Sequence, residues 1–189
     1  MDLIQAIEVF ATVTGIIYVV LEILQRNSMW VVGILTGAAC AWSFGVQHLW
    51  ASMGLNLYYV AISVWGLWQW RKDGERSEGG IHLTRPTPSF LALSAVLLVV
   101  GSAALVWVLS LLGDSMSVLD AVVAVMSAIG TWWLGRSIPQ QWLVWIVADI
   151  LSTILCWKSG MPWMSGLYIV YAFSAVYGWY HWNKNGKYI

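Results

Sequence analysis

Charge is what this sequence has least of. Lys and Arg number nine, Asp and Glu nine, so charged residues are 10% of the 189 and the formal net charge is zero. A soluble globular domain carries about 25% charged residues, so that class is excluded. No Lys/Arg-rich tract exists to meet a nucleic acid. Cysteine is nearly absent too: Cys40 and Cys156 lie in apolar segments, form no CxxC and have no metal spacing. They read as small buried hydrophobes and leave the redox compartment unread. His48, His82 and His181 have no ligand-type neighbour at metal spacing, so no metal is assigned. There is no Ser/His/Asp constellation and no phosphate loop, so enzyme readings find little support and no cofactor is assigned; a membrane enzyme using Asp120 and Asp149 is a weak rival. No Lys lies at mid-depth of the last apolar run, which excludes a retinal Schiff base.

What is present is apolar and aromatic. Hydrophobic residues make up 60% of the chain, with 15 Trp, more than anchoring at membrane interfaces would use. The start, Met1-Asp2, carries no positive charge, has Glu8 inside its apolar run and offers no clear cleavage site. It reads as a retained first helix rather than a signal peptide.

Spans of about 20 apolar residues cross a bilayer. Seven are expected, at 4–24, 28–47, 51–70, 90–112, 117–135, 139–157 and 162–182. Breaks fall at Arg26-Asn27, Gln47-His48, Gly113-Asp114, Arg136 with Pro139, and Lys158 through Pro162. Only Arg71 to Ser89 is a long connection, and its Gly and Pro content reads as a solvated linker.

Residues 1–77 overlay 113–189 without a gap at an offset of 112. Glu8 meets Asp120, Trp30 meets Trp142 and Gly54 meets Gly166. From Leu55 to Gly74, seven of 20 positions are identical: Leu55, Tyr59, Val64, Gly66, Trp70, Lys72 and Gly74. An internal repeat in a hydrophobic chain is the mark of a transporter that moves two equivalent bundles around a central site. The expected organisation is a first three-helix repeat over 1–70, a cytoplasmic linker over 71–89, a connecting fourth helix over 90–112, and a second repeat with the tail over 113–189. Each repeat has three spans, so the fourth helix turns both repeats the same way. The fold expected is therefore all-α, seven transmembrane helices in 3+1+3 parallel repeats, the class that includes the SWEET sugar carriers. Arg26, Arg71, Lys72, Arg76, Arg85, Arg136, Lys184 and Lys187 share one side, and only Lys158 has the other. That places the C-terminus in the cytoplasm and the N-terminus outside.

Charge inside a membrane is costly and usually serves a pathway or a partner. Asp149 falls near the centre of the sixth helix, with Trp142, Trp145, Ser152 and Cys156 on its face at helical spacing. Aromatic faces with one carboxylate form a cation site; the alternative is a protonated Asp149 bonded to a neighbouring helix over packing tryptophans. Asn56 and Tyr59, with repeat partners Tyr168 and Tyr171, read either as a polar binding face or as interhelical hydrogen bonds. Gly66, Gly178, Trp70 and Trp182 on the same faces read as packing. Glu8 and Asp120 read as helix-to-helix bonds or the outer mouth of a cation path. Glu22, four residues before Arg26, reads as part of a surface pair.

Several motifs look familiar. Gln140-Gln141 before Trp142-x-x-Trp145-x-x-x-Asp149, Leu55-Asn56-Leu57-Tyr58-Tyr59, Gly66-Leu67-Trp68-Gln69-Trp70 and Gly178-Trp179-Tyr180-His181-Trp182 resemble the PnuC family of nicotinamide riboside carriers over nearly the whole chain. The resemblance implies a SWEET-related fold, a homotrimer in the plasma membrane, and facilitated diffusion of an unphosphorylated vitamin that the cell then phosphorylates. It implies a substrate site containing Trp142 and Trp145. In that picture both rings pack on the pyridinium, Asp149 balances its charge, Asn56 and Tyr59 bind ribose or amide, and Tyr168 and Tyr171 close the site. Trp142→Ala is then expected to lower affinity with little effect on folding. The family often has an amide where this chain has Asp149. An acid suits thiamine, also a cation, as well as nicotinamide riboside, so thiamine is the rival cargo. A non-transporting membrane assembly protein is the rival from another class.

Overall fold

The computed structural model describes residues 3–46, 50–74, 80–111, 117–160 and 162–189. Gln47, His48, Arg76, Gly113 and Asp114 lie outside the described residues, and the side chain of Glu8 lies outside the described side chains. In chain order the elements are α1 (Leu3–Ile23), α2 (Ser28–Val46), α3 (Trp50–Gly74), β1 (His82–Leu83), α4 (Pro88–Leu111), α5 (Ser117–Gly135), α6 (Gln141–Lys158), α7 (Pro162–Asn185) and β2 (Lys187–Tyr188). All seven expected helices are present. The connection after α3 is shorter than the sequence suggested, because α3 continues to Gly74 and α4 begins at Pro88. Nor is it solvated throughout: His82 and Leu83 are buried.

The chain divides into two compact units, residues 1–82 with Ile189, and residues 83–188. In the first, α2 packs on α1 and α3. In the second, α6 packs on α5 and α7, and α4 packs on α5. Each helix stops for a local reason. Thr87 caps α4 through its Oγ1, which accepts the Phe90 N–H at 3.3 Å, and Pro88 takes the first helical position. At the end of α6, Gly160 turns left-handed at φ 74° and the Ser159 N–H returns to the Leu155 carbonyl.

The turn after α1 and the turn after α5, 112 residues on, are the same motif. Arg26 N–H donates to Leu21 C=O at 2.9 Å, and Ile138 N–H to Trp133 C=O at 3.1 Å. Gln25 N–H donates to Glu22 C=O, and Ser137 N–H to Leu134 C=O. Both closures place a non-glycine residue in the left-handed region, Gln25 at φ 48° and Ser137 at φ 56°. This is a Schellman ending, in which a residue at positive φ satisfies carbonyls the helix leaves open.

The outside of the protein is its apolar side. Val99, Trp107, Leu111, Trp157 and Phe173 all stand about two-thirds exposed, while Ser63, Ser94, Ser102, Ser152 and Ser165 are buried. That inversion is the packing of helices in lipid, where small residues let backbones approach and apolar side chains face the tails. By length and composition, α4, Val118–Gly135 of α5 and α6 can each cross a membrane. The fourth helix is anchored on α5 by aromatics: Phe90, Ile129, Trp133 and Ile138 form a buried cluster. The Trp133 indole donates to Ser94 Oγ at 3.0 Å, and the Arg136 guanidinium stacks over Phe90.

Candidate substrate-binding site

The second unit holds five of the seven residues expected to form the substrate site: Trp142, Trp145, Asp149, Tyr168 and Tyr171. On α6, Trp142, Asp149, Ser152 and Cys156 are buried on one face, with Trp145 half-buried beside them. On α7, Tyr168 and Tyr171 meet edge to face with centroids 6.1 Å apart. Both phenols lie within electrostatic reach of the Asp149 carboxyl, and Tyr168 also within reach of Asp120 and Cys156. Asp149 is 6% exposed. Among the described residues no charged group acts on it. Ser165 Oγ ties α7 to α6 by donating to the Thr153 carbonyl at 3.1 Å. The result is a buried acid on α6 with two α7 phenols within electrostatic reach and the Trp145 indole one turn away on the same helix.

Trp142 holds a different place from Trp145. It is 2% exposed, meets Trp182 edge-on at 5.5 Å, and its ring lies where a Cβ on Gly178 would come within 2.6 Å. Trp30 sits the same way in the first unit, edge-on to Trp70 at 5.2 Å and against Gly66. The glycines and the second tryptophan of each set are packing residues, as the sequence suggested. The expectation that Trp142→Ala leaves folding intact is corrected: removing a ring so enclosed opens a cavity between α6 and α7. Trp145 lies against Gly130 of α5, with ring atoms 3.2–3.4 Å from the Cβ position. The indole N–H groups of Trp142 and Trp145 are buried with no acceptor among the described residues.

Asn56 and Tyr59 lie half-buried on α3 in the first unit, Tyr59 tilted against Tyr58 at 5.6 Å. Gly37 occupies the position equivalent to Asp149. A Cβ there would meet Val60 Cγ2 at 3.0 Å and the Asn56 carbonyl at 3.4 Å, so a side chain at this position would require α3 to give by a few tenths of an ångström. Glu22 is not at the surface as expected; it is 3% exposed and within electrostatic reach of Tyr18. Among the described residues no cluster of His, Cys, Asp and Glu can hold a metal ion.

The helices, the apolar exterior and the buried acid are those of a membrane carrier, and comparison with known families agrees. The family described as "Nicotinamide mononucleotide transporter" matches residues 5–184. The chain belongs to this family, that of the PnuC transporters. Two PnuC relatives show how far the likeness extends. The nicotinamide riboside transporter PnuC of Neisseria mucosa is 29% identical over 92% of this chain and 70% of its own length. The PnuC of Escherichia coli is 21% identical over 96% and 86%. A crystal structure titled for the vitamin B3 transporter PnuC superposes with a TM-score of 0.72, at 28% identity, over 95% of this chain and 81% of that one. A PnuC-family chain is a multi-pass membrane protein of vitamin transport, and its relatives are named transporters rather than enzymes. Sequence reasoning missed the burial of Glu22 and the enclosure of Trp142. The second could have been found by reading the 112-residue offset for glycines: Trp30 has Gly66 opposite it and Trp142 has Gly178.

Proposed function

We propose that this protein carries nicotinamide riboside across the plasma membrane by facilitated diffusion with alternating access, and that cytoplasmic phosphorylation retains the cargo. The observation that carries the reading is Asp149, a buried acid with no cationic neighbour among the described residues, beside Trp145, Tyr168 and Tyr171. A carboxylate so placed is expensive unless a cation arrives to meet it. The pyridinium of nicotinamide riboside is such a cation, and an indole face attracts it further. Trp145 stacks on the ring and offers its N–H to an acceptor of the cargo. Trp142, packed on Gly178 and Trp182, holds α6 against α7 below it. Tyr168 and Tyr171 close the site, while Asn56 and Tyr59 of the first repeat bind ribose or amide. The two three-helix repeats run parallel, joined by α4, in a SWEET-like arrangement; the matching Schellman turns and Trp–Gly–Trp stacks support that reading. The N-terminus is outside, the C-terminus is cytoplasmic, and the assembly is a homotrimer.

Relatives named for nicotinamide riboside favour that cargo over thiamine. Riboflavin is the stronger rival, since a riboflavin/roseoflavin transporter, RibM of Streptomyces davaonensis, is 21% identical over 93% of this chain and 83% of its own. Uptake of labelled nicotinamide riboside into proteoliposomes, with unlabelled riboflavin or thiamine as competitor, tests the proposal. Saturable uptake that neither competitor blocks and that ionophores leave intact is expected. Uptake of riboflavin alone would transfer the mechanism to that cargo, and uptake of none would return weight to a non-transporting assembly protein.

A further inference from the structure

Each half of the chain has one aromatic slot between its first two helices, and the two halves fill it from opposite sides. In the second half the ring is Trp145 of α6, lying on Gly130 of α5. At the pair 112 residues earlier the residue types are exchanged. Gly33 of α2 stands at the tryptophan's position, and Tyr18 of α1 stands at the glycine's. The Tyr18 ring comes to 3.2 Å from the Cβ position of Gly33, the same approach that Trp145 makes to Gly130. The third helix is adjusted as well: Ser63 Oγ lies 2.9 Å from the Gly33 Cβ position, and its counterpart is the buried Ala175. One ring fits at this level and a second would collide.

Exchange of a ring between helices conserves volume but not chemistry. Trp145 brings an indole. Tyr18 brings a hydroxyl, which lies within electrostatic reach of the Glu22 carboxyl and the Tyr59 phenol. A phenol donates one hydrogen bond and accepts others. Donation from Tyr18 to Glu22, and from Tyr59 to Tyr18, would leave the Tyr59 oxygen as an acceptor with a fixed direction. We propose that Tyr18 is a substrate-positioning residue of the first repeat, filling the slot that Trp145 fills in the second and orienting Tyr59 toward a hydroxyl or amide N–H donor of the cargo. The inference rests on the functional reading above, which assigns Tyr59 to the cargo.

The test compares uptake kinetics of the parent, Tyr18→Phe, Tyr59→Phe and the double variant in proteoliposomes, with melting temperatures measured in parallel. Tyr18→Phe keeps the ring but removes a donor to the buried Glu22, so melting should drop modestly while the maximal rate matches the parent and KM rises about three- to tenfold, the range of one hydrogen bond. The double variant should be no worse than the weaker single, because the two hydroxyls act in series. A Tyr18→Phe protein with the parent's KM, or additive singles, would overturn the proposal. The exchanged variant Tyr18→Gly/Gly33→Trp, with Ser63→Ala to clear the 2.9 Å approach to the new Cβ, restores a ring from the other helix. It should melt near the parent and show the raised KM; a parental KM would mean that only the ring matters. If the parent takes up riboflavin and not nicotinamide riboside, the cargo assignment fails, and the same comparison with riboflavin still decides Tyr18. Uptake of neither overturns both.

Discussion

The turn after α1 and the turn after α5 have the same hydrogen bonds and opposite characters. Where the first has Arg26, exposed, the second has Ile138, 2% exposed and packed with Trp133. Where the first holds its neighbouring segment by a side chain, with Gln25 bonded to both the N–H and the C=O of His82, the second uses backbone, the Thr84 N–H donating to Ser137 C=O. The same contrast runs deeper in. Position 37 is a glycine pressed against α3, and position 149 is a buried acid. The comparison teaches that the offset preserves what holds the helices together and leaves the polar groups between them free to differ. Schellman turns and Trp–Gly–Trp stacks are kept; the polar groups are redistributed.

The largest effects should come from the shared stacks. Trp30→Ala and Trp142→Ala should each cost about 3–5 kcal/mol of stability, the range for truncating an enclosed aromatic. Thermal unfolding in detergent reads this, and a clear inequality between the two would break the equivalence. Next, Gly66→Ala and Gly178→Ala place a Cβ within 2.6 Å of an indole. Overpacking of that kind costs about 1–3 kcal/mol, so both variants should melt well below the parent.

A smaller effect sharpens the difference between the turns. Burial holds the His82 imidazole below its usual pKa of 6.5, and the nearby Asp73 only partly opposes this. The folded state therefore prefers neutral His82. Its contribution is complete above pH 6.5 and is lost as pH falls through the folded value, since the unfolded chain then binds the proton more readily. The melting temperature should fall between pH 7.5 and 5.5, and His82→Phe should flatten that slope. The smallest effect belongs to Gly54→Ala and Gly166→Ala, where nothing lies within 4 Å of the added Cβ. Both should stay within about 0.5 kcal/mol of the parent; a loss at only one would reveal a contact that its counterpart lacks.

The helices were legible because lipid imposes a length and a composition on each span, and charged or proline-bearing breaks separate them. The repeat was legible because packing against an indole admits glycine at Gly66 and Gly178 and little else. The acid at Asp149 stood out by its cost. The enclosure of Trp142 was not legible because an aromatic face looks the same from sequence whether or not a neighbouring helix covers it. Tyr18 was passed over and Glu22 was read as part of a surface pair, because spacing along α1 alone does not reveal which residues of α2 and α3 they meet.

The central claim is that Asp149 meets a positive charge. Equilibrium binding of nicotinamide riboside and of its uncharged dihydro form, to the parent and to Asp149→Asn, addresses it directly. The parent should prefer the cation by about tenfold, or about 1.4 kcal/mol, and the asparagine variant should bind the two forms nearly alike. A parent that does not discriminate, or a variant that discriminates as well as the parent, would contradict the account.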